Sequence, residues 1–187
     1  MHASISPRRH FLLRMAACML ATVLLAPTGH AASASEIDAQ VNQALKDFER
    51  IDGASAFLKI AKGVLVFPKV YKAGIGVGGE YGEGALRVGD KSVDYYSTAA
   101  ASIGFQLGAQ AKTIVVIFIQ DEALQKFRAS EGWKVGVDGS VALVDLGAGK
   151  AVDTTTIKDP VVGFVFGQKG LMYNLTLEGS KFTKLKR

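Results

Sequence analysis

Lys59, Lys62, Lys69 and Lys72 fall in a stretch, from Asp52 to Glu80, that holds no acid in between. They are interleaved with Phe57, Phe67 and Tyr71 and followed at once by a run of glycines. Ammonium groups beside exposed aromatics suit a surface of phosphate headgroups, where each basic residue contributes about 1 kcal/mol. The alternative reading of the same lysines is a solvated face, and net charge does not choose between the two. Lys181, Lys184, Lys186 and Arg187 form a second basic patch, read as a strand end with a solubilising tail.

Catalytic chemistry has little to work with. His2, His10 and His30, the only histidines, and Cys18, the only cysteine, all precede residue 35. Beyond that point no Ser-His-Asp triad, cysteine nucleophile or ordinary zinc site can be assembled. Carboxylate pairs or a Ser-Lys pair remain. Asp121 and Glu122 open a helix, where acids complement the dipole, and Asp138, Asp145 and Asp153 lack metal-loop spacing. Gly74-Ile-Gly-Val-Gly-Gly79 matches G-x-G-x-x-G, but a dinucleotide fingerprint needs a helix to follow, and Gly82-Glu-Gly-Ala-Leu-Arg-Val88 reads as strand. The expectation is a chain that is not an enzyme, with no cofactor, no metal and no nucleic-acid partner.

The first 34 residues read as a secretory leader. Arg8, Arg9 and Arg14 give a basic start, Met15 to Ala26 is apolar and too short to span a bilayer, and Ala32-Ser-Ala34 offers a cleavage site. Ser6-Pro-Arg-Arg-His-Phe-Leu12 carries the paired arginines of a twin-arginine signal, with ordinary secretion as the alternative. These features point to a periplasmic or secreted protein; Met15-Ala-Ala-Cys18 loosely resembles a lipoprotein box and gives the alternative of a lipid anchor through Cys18. Loss of three arginines and no acid lowers the net charge from +5 to +2. Residues 35–187 are long enough for one domain with its own core and no disulfide.

Positioning elements follow from periodicity. Ile37, Val41, Leu45, Phe48 and Ile51 form one apolar stripe, predicting a helix over 33–50, with Ser33-x-x-Glu36 as a capping box and Ser35 as the spare cap. A short helix is expected over 54–62 with Phe57, Ile60 and Ala61 inward, and another over 121–130 with Ala123, Leu124 and Phe127 inward. From Val64 the period is two, predicting strands near 64–67, 73–80, 84–88, 93–97, 101–110, 112–119, 133–143, 161–167 and 171–178. Ile114 to Ile119 is an unbroken apolar run, expected to be buried on both faces. Gly89-Asp-Lys91 and Gln168-Lys-Gly170 read as hairpin turns. Two helices, then many strands with one inserted helix, indicate an α+β fold with a mainly antiparallel sheet.

Within that sheet the glycines are patterned. Gly74, Gly76 and Gly78 alternate with Ile75 and Val77, and Gly104 and Gly108 alternate with Ile103, Phe105 and Leu107. Successive strand residues face opposite ways, so one face is apolar and the other bare. A bare face weakens a strand unless another backbone or a ligand must come close. The expectation is a packed helix over part of these faces and a groove over the rest.

The blocks Ala61 to Gly74, Gly78-Gly-Glu-Tyr-Gly-Glu-Gly84, Ser102-Ile-Gly-Phe-Gln-Leu-Gly-Ala-Gln110 and Gly170-Leu-Met-Tyr-Asn-Leu-Thr-Leu-Glu-Gly-Ser180 resemble the SYLF domain family over about residues 37–183. The resemblance implies a lipid-binding module; eukaryotic members bind phosphoinositides and some bind actin. The acidic first helix, with Glu36, Asp38, Asp47 and Glu49, departs from the basic amphipathic helix of some relatives. The expected function is therefore binding of anionic phospholipid or the membrane surface at the bacterial cell envelope, with an envelope protein partner as the alternative.

Overall fold

The computed structural model describes residues 32–145, 159–169, 177 and 179–187, with the backbone alone described at 75, 76, 102–109, 145, 168 and 169. Residues 32–187 form one compact unit. Its elements are helix α1 (Ala34–Glu49), helix α2 (Ala54–Ile60), strand β1 (Gly63–Val88), strand β2 (Lys91–Phe118), helix α3 (Asp121–Ala129), and strands β3 (Gly132–Lys134), β4 (Ala142–Asp145), β5 (Val161–Lys169) and β6 (Lys181–Leu185). The fold is α+β; among the described residues the strand pairs are antiparallel except β4–β5, which is parallel.

Helix α1 starts as its sequence predicts. The Ser33 hydroxyl accepts from the Glu36 amide and the Glu36 carboxylate accepts from the Ser33 amide, the reciprocal arrangement of a capping box. Helix α2 is shorter than expected. It stops at Ile60, so Ile60 is exposed and Lys62 is a bend residue outside the helix.

Six of the predicted strands merge into two. The stretches 64–67, 73–80 and 84–88 are one 26-residue strand, and 93–97, 101–110 and 112–119 are one 28-residue strand ending at Phe118. A turn at Gly89, whose φ of 58° suits glycine, joins them into a single long hairpin. Glycines mark kinks in the pair rather than its ends. The predicted strand over 133–143 is instead broken at Gly136, with φ 84°. There the Asp138 carboxylate accepts the Lys134 amide at 2.6 Å, closing a turn that leaves Val137 in solvent. Residues 168 and 169 continue β5, so the turn predicted there does not begin at Gln168; Gly170 and most of the strand predicted over 171–178 lie outside the described residues.

The hairpin curls back on itself. A Cβ added to Gly82 would stand 2.6 Å from the Lys69 carbonyl oxygen, and one on Gly84 would collide with the Val66 carbonyl. The second half of β1 thus packs against its own first half. Strand β6 extends the first half of β2, pairing Tyr95–Ala99 with Lys181–Leu185, while β5 extends its second half. Between the two halves lies an inner core of Leu65, Phe67, Leu86, Tyr96, Val116, Phe127, Trp133 and Phe182. Residues of opposite parity, Val64, Val66, Val115, Ile117, Val162 and Phe164, pack beneath α1 and α2 through Ile37, Val41, Phe48 and Phe57. The run from Ile114 to Phe118 is buried on both faces because it serves both cores.

Candidate functional site

Pro68 determines what faces where at one end of the sheet. Proline cannot donate to a ladder and is tolerated at a bulge, and the β1–β2 register slips between Phe67 and Val70. The extra residue reverses the alternation: Leu65 and Phe67 point inward, and beyond the bulge Val70 and Lys72 do. Lys69 is left in solvent. The Pro68 carbonyl accepts the Thr113 hydroxyl at 3.0 Å, which ties the bulge to β2.

Lys72 is therefore not part of an exposed basic patch. Its side chain is 4% exposed and its Nζ lies 3.3 Å from Glu80 Oε1. Lys112 of β2, 3% exposed, places its Nζ 2.7 Å from Glu80 Oε2, and the Glu80 side chain is itself 9% exposed. Two ammonium groups share one carboxylate inside the protein. Lys72 and Glu80 stand either side of the glycine bend; Lys112 comes from the other strand, next to buried Gln110, which pairs in register with Lys72. Neither Glu80 nor Lys112 was among the residues expected to matter. Lys112 shares parity with Ile114, Val116 and Phe118, which places a lysine on the core face of a strand, and that was the available signal.

The other three lysines do not converge. Lys59 is exposed at the last turn of α2. Lys62, just before β1, pairs with Asp121 at 3.6 Å with both side chains largely in water. Lys69 lies seven residues further on, roughly 20 Å along an extended strand. The C-terminal basic residues are not a loose tail: residues 181–185 are β6, Lys184 pairs with Asp94 at 2.8 Å alongside Arg128 at 2.9 Å, and Arg187 pairs with Glu83 at 2.8 Å.

Gly74 pairs with Gly108, Gly76 with Gly104 and Gly78 with Ser102, so the patterned glycines meet across the hairpin at its bend. What would occupy the side of Gly74 is the chain itself, since a Cβ there would collide with Gly78. The outward positions of this bend carry Tyr71, Val77 and Tyr81, exposed by 59%, 69% and 51%. The Tyr81 hydroxyl donates to Glu83 at 2.9 Å; burial first, and then this carboxylate, raise its pKa above the usual tyrosine value.

Next to the bend, a groove of about 470 Å³ runs between α1 and the sheet, lined by Gln43, Ala44, Lys69, Tyr71, Lys112 and Phe166 among others. Its size lies in the range of small-molecule sites, roughly 300–1,000 Å³. A polar network fixes α1 over the sheet near the hairpin turn: Asp38 accepts from Ser92 at 2.6 Å and from Tyr95 at 3.0 Å, and Asn42 accepts from Arg87 at 2.9 Å. Among the described residues no group of acids could hold a metal ion, and no helix is long and apolar enough to cross a membrane.

No curated protein matches the chain. Residues 99–187 match the family model described as Ysc84, Las17-binding protein actin regulator. That range begins within β2 and covers the Ser102–Gln110 and Gly170–Ser180 blocks; the blocks before Gly84 precede it.

Proposed function

We propose, on the premise that residues 99–187 belong to the Ysc84 (SYLF) family, that the chain is a binding module without catalysis whose glycine bend docks on an anionic phospholipid surface. The observation that carries this is the exposure of Tyr71, Val77 and Tyr81 along the stretch of β1 that holds the glycine bend, with exposed Lys69 two residues before Tyr71. Aromatic rings with polar tips favour the boundary between headgroups and acyl chains. The lysine adds an attraction that falls off within a Debye length. The leader-like first 34 residues support work at the cell envelope after export, with Cys18 as the alternative anchor; the mass of the exported protein tests this, and a diacylated Cys18 would replace cleavage after Ala34.

Co-sedimentation of residues 32–187 with vesicles tests the docking. Binding is expected to phosphatidylcholine vesicles containing phosphatidylglycerol and to weaken with salt. Lys69→Gln should reduce it about fivefold, and Tyr71→Ser with Val77→Ser should abolish it. Lys59→Gln with Lys62→Gln tests the remaining exposed lysines, which lie away from the bend. Equal binding by the Tyr71→Ser, Val77→Ser variant and the parent would refute the reading. The second reading is a protein partner on the same surface, favoured by the family's description as binding Las17; it predicts no vesicle binding by any variant.

A further inference from the structure

The groove between α1 and the sheet offers both space and access. It measures about 470 Å³, and Lys69 and Tyr71 of its lining are exposed. Its apolar surface comes from Ala44, Pro68, Tyr71, Ala111 and Phe166. Phe166 is partly buried, and its ring leans on Phe48 of α1 with centroids 5.7 Å apart. Tyr71 supplies a second ring. Two rings in one groove favour an aromatic guest, since aromatic pairs gain free energy beyond the area they bury. The charged groups of the lining are not equally available. The Asp47 carboxylate already accepts from Gln43 at 3.0 Å and from Arg50 at 3.2 Å, and the Lys112 ammonium is committed to Glu80. Lys69 is in none of the ion pairs formed among the described residues. The charge left for a ligand is therefore one cation, and its complement is an anion.

We infer that this groove binds a small aromatic carboxylate, its ring system against Phe166, Tyr71 and Ala44 and its carboxylate on the Lys69 ammonium. A charge-assisted hydrogen bond from the ammonium orients the ligand. At an exposed lysine that bond contributes little affinity, so the buried ring system supplies most of it. The groove falls within the size range of small-molecule sites. The inference does not rest on the membrane-docking reading, although both use Lys69 and Tyr71.

The test is titration of isotope-labelled residues 32–187, which contain both cores, with naphthoate, read by the chemical shifts of backbone amides. No vesicles are present, so failure here is distinct from failure of the docking reading. Saturable shifts are expected at residues 40–47 and 69–71, with half-saturation at roughly 1 mM. Neutral naphthamide should bind the parent about two- to fivefold more weakly, the size of one exposed ion pair. Lys69→Gln should weaken naphthoate by the same factor and leave naphthamide unchanged, whereas Lys59→Gln, outside the groove, should bind both as the parent does. Ala44→Leu fills the groove and should remove the saturable shifts for both compounds. Lys69→Gln, at an exposed position, keeps the test available should Ala44→Leu fail to fold. Shifts that do not saturate or that fall outside these segments would overturn the inference. So would naphthamide binding as tightly as naphthoate, or octanoate binding more tightly than naphthoate.

Discussion

Glu80→Gln is the most informative single substitution in this protein. The carboxylate sits 2.7 Å from one buried ammonium and 3.3 Å from another. At an effective dielectric of about 20 these separations correspond to gross attractions of about 6 and 5 kcal/mol, before desolvation and the repulsion between the lysines are subtracted. Removing one partner of a buried ion pair typically costs about 3–5 kcal/mol, because the other charge stays behind; here two stay behind. For a unit of this size each kcal/mol moves the melting temperature by about 2–4 °C, so a drop of roughly 6–20 °C is expected. The same charge count predicts the opposite for a lysine. Lys72→Met leaves a one-to-one pair and should fall within about 1 kcal/mol of the parent, and adding it to Glu80→Gln should recover part of the loss. Differential scanning calorimetry of the four proteins decides. If Lys72→Met costs as much as Glu80→Gln, or Glu80→Gln melts with the parent, the cluster is not an electrostatic clamp.

Gly84→Ala should destabilise by about 1–3 kcal/mol or more, since its Cβ would collide with the Val66 carbonyl; Gly79→Ala, whose Cβ meets only the Ala100 oxygen at 3.9 Å, should cost about 1 kcal/mol or less, and urea unfolding compares them. Tyr96 is buried with a hydroxyl that has no hydrogen-bond partner, so Tyr96→Phe should be neutral or stabilising in the same assay. Burial first, and Asp94 next, raise the Tyr96 pKa; the associated stability is present below the unfolded value of about 10 and is lost as pH rises through the raised folded value. Tyr96→Phe should therefore flatten the fall in stability above about pH 10. Ser33→Ala removes the cap on α1 and should cost about 1 kcal/mol, a loss that a chain beginning at Ser35 would share unless Ser35 takes over the cap.

Local signals were legible and long-range ones were not. The Ser33–Glu36 box, the stripe from Ile37 to Phe48, the doubly buried run at Ile114 and the turn at Gly89 each follow from a few neighbouring residues. The glycines at 74–79 read as part of a strand over 73–80 with one bare face; what a local pattern does not show is that Gly74 and Gly76 face Gly108 and Gly104 across the ladder, where the pair bends without ending. The position of Lys72 turned on one extra residue at Pro68. Parity carried through the bulge without correction assigns Lys69 to the inside and Lys72 to the surface, the reverse of what is found. Glu80 read as the acid that closed a basic stretch, when it is the counter-charge within it. Lys62 and Lys69 are near in sequence, but an extended strand holds them far apart.

The curled hairpin also dictates an order of assembly. Pairing of β1 with β2 starts beside the turn, at Val88 and Lys91, and ends at Gly63 and Phe118. It can zip from a local contact with little loop closure at each step. Strand β6 is different: Phe182, wholly buried, stacks on Trp133 with ring centroids 5.8 Å apart and lies opposite Thr98. The inner core stays open on that side until residues 181–185 arrive, some eighty positions along the chain from their partners. During synthesis the hairpin would wait with apolar residues uncovered, and the last turn of the key is made by the segment made last among those described. Substitutions near Gly89 should slow folding, whereas substitutions in β6 should chiefly speed unfolding.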